Sequence, residues 1–269
     1  AISPDIILDA LKDVDRSVRM SAARLAEPWL KVTGSDAILD QLILNTRTDD
    51  ITELRQMVLS LGAQKNILSH MAIRSVLYNH AEKPHVLDAA LSGLAGQELE
   101  FLELLLGEKR WHNAKNRSNV IEALADCIFK EGRPSRVGNL VYYTYGRRTQ
   151  DWQRISILRG IDRNSSKGKP VYYDKKPSML GKLQKSKYPE EAKLAKSIDK
   201  LFLWKGKPGV KPLPPLRPLN DTEQALYTQG KQFYTFTCAA CHQGHGRDQA
   251  GVAPPLVDSC LLYTSDAAD

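Results

Sequence analysis

Cys238 and Cys241 are separated by two residues, with a histidine directly after the second, in the run Cys238-Ala239-Ala240-Cys241-His242. Two thiols at this spacing can each form a thioether bond to one vinyl group of a porphyrin, which sets the next side chain beneath the iron. Imidazole is a suitable axial donor, and the axial ligand tunes the potential of the iron. The motif predicts covalent haem c, bound through Cys238 and Cys241 with His242 as the metal ligand. Two other chemistries use similar cysteines. A redox-active Cys-x-x-Cys needs a strand before it in an α/β setting, and a zinc site needs two further ligands, of which only His245 lies close. His245 is three residues from His242 and cannot reach the opposite face of the haem, so a surface loop is expected for it.

A helix must present this motif. Asn220-Asp221-Thr222-Glu223 reads as a helix start with Asp221 or Thr222 as the cap, running toward Gly230, Phe233 and Tyr234. Before it, residues 164–219 are rich in Lys, Gly and Pro and predict a basic, largely irregular linker with one packing helix over Glu190–Trp204.

From the start to about Arg163 the apolar residues follow a helical period, and the helices themselves repeat. Val18, Ala22 and Leu25 correspond to Leu54, Val58 and Leu61, then Leu87, Leu91 and Leu94, then Val120, Leu124 and Cys127, with Ile155 and Leu158 extending the series. First members lie 36, 33, 33 and 35 residues apart. Paired amphipathic helices at such a period predict an α-solenoid, because each pair buries its apolar face only against the next. Partner helices are expected around Ala37–Leu44, Ile67–Leu77, Leu99–Leu106 and Leu140–Tyr143. Met20, Met57 and Met71 are expected as core, as is Cys127, with packing rather than reactivity as its role. His112 beside Trp111 lacks partners for catalysis.

The net charge of +7 is unevenly placed. Lys167–Arg217 holds thirteen Lys and one Arg against Asp174, Glu190, Glu191 and Asp199, an excess of +10 that leaves the rest at −3. Such a connector is expected to be a solvated surface, with docking of an acidic redox partner as the sharper reading. No nucleic-acid-binding motif accompanies the lysines, and no apolar run suggests a membrane span.

Leu11–Ala23, with its acidic turn, Val18-Arg19 and paired alanines, resembles the HEAT repeat. Gly230–Gly246 followed by Gly251-Val252-Ala253-Pro254-Pro255-Leu256-Val257 is similar to the amino-terminal half of a class I cytochrome c. That resemblance implies that Phe233 or Tyr234 packs on the haem edge and that Pro254 or Pro255 offers its carbonyl to the proximal His242. The family's distal Met has no counterpart here, Met179 in the linker included. The order of the parts is HEAT-like repeats over 1–163, the linker over 164–219 and a truncated cytochrome domain over 220–259. It resembles the carboxy-terminal half of large haem-binding dehydrogenase-like proteins known from planctomycetes, verrucomicrobia and some bacteroidetes. The resemblance implies an all-α chain that passes electrons from an upstream dehydrogenase domain to a redox partner protein. It implies no catalytic residue in this chain, and haem maturation implies a periplasmic location. A HEAT interaction scaffold with a structural or sensory haem is the alternative.

Ala1–Asp5 carries no starting Met and no signal segment, and the expectation is a piece of a longer protein. Residues 260–269 are similar, residue for residue, to the translation of a transposase adapter used in sequencing-library preparation. Cys260 is therefore not counted as a thiol.

Overall fold

Short polar residues start the helices of this chain by accepting the first unpaired amides. Asp15 accepts from the Ser17 amide at 2.6 Å, Asp50 from Thr52 and Glu53 at 2.9 Å each, and Asn66 from Leu68 at 2.7 Å. In the computed structural model, which describes residues 3–31, 36–63, 66–146, 149–210 and 217–244, the described residues are predominantly helical. The helices pair in chain order. α1 (Pro4–Ala10) packs on α2 (Arg16–Ala26), α3 (Asp36–Asn45) on α4 (Ile51–Leu61), and α5 (Ile67–His80) on α6 (Val86–Gly93). α7 (Glu98–Gly107) is followed by the short α8 (Lys109–His112) and packs on α9 (Ser118–Lys130); α10 (Pro134–Tyr143) packs on α11 (Asp151–Asp162). Successive pairs also touch, α2 with α4 and α4 with α6 along one row, α1 with α3 and α3 with α5 along the other. The densest packing is that of α9 on α11.

Polar side chains lock each pair to the one before it. Asn45 donates to the Leu11 carbonyl at 2.8 Å, Gln97 to Gly62 at 3.1 Å, and Arg117 to Tyr78 at 2.8 Å, so the open carbonyls at the end of one helix are satisfied by the next unit. Arg19 forks onto buried Glu53 at 2.6 and 2.7 Å and holds that carboxyl below its usual range, while Arg16 pairs with Asp50. Backbone contact is closest at two places. A methyl on Gly62 would lie 2.3 Å from the Gly93 carbonyl carbon, and one on Gly160 would lie 2.3 Å from the Glu122 oxygen. Helices α4 and α6, and α9 and α11, therefore meet where a side chain is missing.

Several anchor positions differ from the expected register. Leu54, Val58, Leu61, Val120, Leu124 and Leu158 are buried as expected, but Val18 and Leu25 are exposed and α2 faces inward through Ala22, Ala23 and Ala26. Three alanines let the helices approach more closely than leucines would, which turns the larger residues outward. In α6 the inward residues are Val86, Ala90 and Leu94, so Leu87 and Leu91 are only partly buried. Cys127 is half-buried and Ile155 likewise, with Ile128, Ile157 and Ile161 taking the core positions. Met57 is core, whereas Met71 is exposed, because it sits on the outer side of α5.

The stretch expected as an irregular linker is folded as far as Val210. Strand β1 (Val171–Tyr173) pairs in parallel with β2 (Phe202–Trp204), with Val171 opposite Phe202, Tyr172 opposite Leu203 and Tyr173 opposite Trp204. Between them lie α12 (Ser178–Gln184), α13 (Pro189–Ser197) and a 3₁₀ turn at Ile198–Leu201, in place of one helix over 190–204. Leu180, Leu183, Ala195, Ile198 and Phe202 are buried; α13 packs on α11, and Phe202 meets Phe129 of α9 edge-on at 5.9 Å. Lysine richness hid this apolar face, because every lysine of residues 164–210 except Lys207 lies on the exposed side. Met179 also packs against the core.

Candidate haem attachment site

The motif is carried by α14 (Asp221–Phe233), a π-helical turn (Tyr234–Cys238) and α15 (Ala239–His242). Asn220, rather than Asp221 or Thr222, caps α14. Its side chain accepts from the Glu223 amide at 2.9 Å while Glu223 accepts from the Asn220 amide at 3.0 Å. Arg217 forks onto Glu223 at 2.5 and 2.7 Å and holds its carboxyl below the usual range. These bonds fix where the helix begins.

The helix then runs without a core of its own: among the described residues, none from 217 to 244 is buried. Leu226 and Phe233 share one face at a spacing of seven, with Gly230 between them, and they are 62% and 65% exposed. Phe236 is 86% exposed. A five-residue π turn widens the helix between Phe233 and Ala239, so the motif faces a different direction from α14. Turns of this kind recur at functional sites because they re-aim side chains without ending the helix.

Cys238 is half-buried and Cys241 exposed, and neither is in a disulfide. Three residues apart across the start of α15, they sit on neighbouring positions of one helical turn. His242 follows as the last residue of α15, half-buried. The Tyr234 hydroxyl donates to the Gln243 carbonyl at 2.6 Å, tying the start of the π turn to the residue after the motif. Gln243 itself has φ +62° and ψ 161°, a left-handed conformation that glycine adopts more readily. Strain of this kind costs on the order of 1–3 kcal/mol and persists only where its surroundings hold it, here through the Tyr234 bond.

Of the two aromatics expected at a haem edge, Phe233 is open, whereas Tyr234 is turned to the backbone by its hydroxyl. Phe236 was missed because it falls outside the helical period of α14; the π turn places it. The Tyr234–Gln243 clasp has no signal in the sequence. Pro254, Pro255 and His245 lie outside the described residues. A helix and a π turn, rather than the strand a thioredoxin-like arrangement would need, lead directly into Cys238. Among the described residues, no three His, Cys, Asp or Glu side chains converge as metal ligands. Two reduced thiols and an imidazole on one short turn, beside uncovered apolar side chains, are a donor set that fits a haem.

Cys127 is a different kind of thiol. Burial and then the negative charges of Glu98 and Asp126 push its pKa up, so it stays protonated and unreactive. His112 is also structural, its Nε2 lying 3.1 Å from the Leu106 carbonyl. No helix among the described residues is long and apolar enough to cross a membrane. Comparison of the chain with protein-family models, curated proteins and solved structures returns no match.

Proposed function

We propose that this chain carries electrons through a c-type haem held covalently by Cys238 and Cys241, with His242 beneath the iron. The observation that carries the reading is the pair of reduced cysteines on one helical turn, followed at once by a histidine, in a segment that buries none of its own apolar side chains among the described residues. When bound, the haem supplies one-electron chemistry through its exposed edge. The chain's own residues attach and orient it. The Tyr234 hydroxyl fixes the end of the motif turn, and Phe233 and Phe236 offer apolar surface to the macrocycle.

In this reading the helix pairs are a HEAT-like α-solenoid, supported by the locking bonds between successive units, and serve as a rigid spacer and docking surface. The segment from Asn220 is the first part of a class I cytochrome c domain. The whole is the carboxy-terminal part of a periplasmic haem-binding dehydrogenase, in which substrate oxidation belongs to an upstream domain. Exposed Ile67, Leu68 and Met71 on α5 favour a second reading, a partner-binding scaffold whose haem is structural or sensory.

Pyridine haemochrome spectroscopy of the full chain, matured in a periplasm with cytochrome c assembly machinery, tests the site. Wild type is expected to keep haem after acid–acetone extraction, and the Cys238→Ala/Cys241→Ala variant to lose it. Equal covalent retention in both would sink the proposal. Reversible oxidation and reduction of the bound haem by small mediators separates a carrier from a purely structural group.

A further inference from the structure

The parallel pairing of β1 and β2 brings two lysine-rich segments out at the same end of the sheet. Tyr173 is opposite Trp204, and the Lys205 amide donates to the Tyr173 carbonyl at 3.2 Å, so Lys175 and Lys176 leave beside Lys205. The Lys176 ammonium lies 5.4 Å from the centroid of the Trp204 ring, and that of Lys207 lies 4.4 Å from it. A methyl on Gly181 would be 3.8 Å from the Lys176 ammonium, which places α12 beside the same cluster; the ammonium of its exposed Lys182 lies 5.9 Å from the centroid of the Tyr145 ring. Lys207 is neutralised by Asp199 at 2.7 Å. Lys175, Lys176, Lys182 and Lys205 are exposed and have no acidic partner among the described residues.

Most acids of the same segment are already paired. Glu190 pairs with Arg159, Glu191 with Arg154 and Ser186, and Asp199 with Lys207 and Gln184; Asp174 alone stays exposed beside the cluster. The fold thus holds like charges together on a rigid support and leaves them unneutralised, an arrangement that focuses a positive field outward.

We propose that this end of the β1–β2 pair is a docking site for an acidic protein surface, held by Lys175, Lys176 and Lys205 beside Trp204 and by Lys182 on the adjoining α12. Residues 164–210 contain no arginine, and lysine is a strongly hydrated point charge that suits steered, short-lived encounters. Trp204 is only 9% exposed and cannot stack on a nucleic-acid base. Tyr188 is the one large apolar side chain exposed among these residues, too little to insert into a lipid surface. The site does not depend on the haem.

Fluorescence anisotropy of labelled poly-L-glutamate, titrated with the full chain, tests it. Wild type is expected to bind at low ionic strength and to weaken as salt rises. Reversing all four lysines (Lys175→Glu, Lys176→Glu, Lys182→Glu, Lys205→Glu) is expected to weaken binding roughly tenfold or more. The charge-matched reversal of exposed Lys12, Lys83, Lys109 and Lys115 is expected to change it by less than about threefold. If loss of the Lys176–Trp204 contact unfolds the first variant, the four Lys→Gln changes keep the side-chain bulk and should give an intermediate loss. No binding by wild type, equal loss in the two reversals, or tighter binding of a DNA duplex or phosphatidylserine vesicles would overturn the proposal. The same titration on the Cys238→Ala/Cys241→Ala variant should be unchanged, so a failed haem assignment and a failed docking site give different results.

Discussion

At the scale of single residues, two polar groups set conditions on the structure. Glu98 is buried at the start of α7, with one carboxyl oxygen that has no donor in reach. Burial and then the charge of neighbouring Glu131 push its pKa up to about 7, against the pull of Arg136. Protonation of Glu98 removes the buried charge that its surroundings disfavour. Because the folded value is raised, the associated stability is complete below the ordinary carboxyl range near 4.5 and is lost as pH rises through about 7. Urea titrations across that range should show wild type losing on the order of 1–3 kcal/mol toward alkaline pH. Glu98→Gln, which keeps a donor at every pH, should flatten the profile. At the motif, Tyr234→Phe removes the hydroxyl that holds Gln243 in its left-handed conformation. A loss of about 1 kcal/mol in the local turn is expected, read as a lower yield of covalent haem at equal expression.

At the scale of elements, close approach of backbones matters as much as apolar pattern. Helix α11 lies against α9 where Gly160 faces the Glu122 carbonyl and the Ala125 methyl. Gly160→Ala cannot be relieved by a flexible side chain, so the helices must separate and the contacts of Ile157 and Ile161 loosen. A destabilisation of about 2–3 kcal/mol is expected in thermal or urea unfolding. Helical pairing itself was legible, since the partner helices expected around Ala37, Ile67, Leu99 and Leu140 all form. The inward face of α2 was not. Period alone ranks Val18 and Leu25 above Ala22, Ala23 and Ala26, and only the neighbouring α4 decides that small residues fit.

At the scale of the whole molecule, the described residues up to Val210 share one apolar core, which runs from Ile7 to Trp204. The segment from Arg217 to Gly244 contributes no residue to that core among those described. The Cys238→Ala/Cys241→Ala variant, which on the proposed function lacks haem, should therefore keep the main far-UV circular-dichroism melting transition in place. A shift of that transition by as much as the motif segment's own loss would show that the two parts unfold together.

The sequence by itself determined the helical character of the chain, the pairing of its helices and the spacing of Cys238, Cys241 and His242, because these rest on spacing along one chain. Tertiary structure decided what spacing cannot encode. It chose which face of α2 and α6 turns inward, folded the lysine-rich stretch onto α9 and α11, and clasped Tyr234 to Gln243. Each of these depends on the shape and charge of groups that are not neighbours along the chain, and a lysine-rich stretch reads as linker until its apolar side meets a partner.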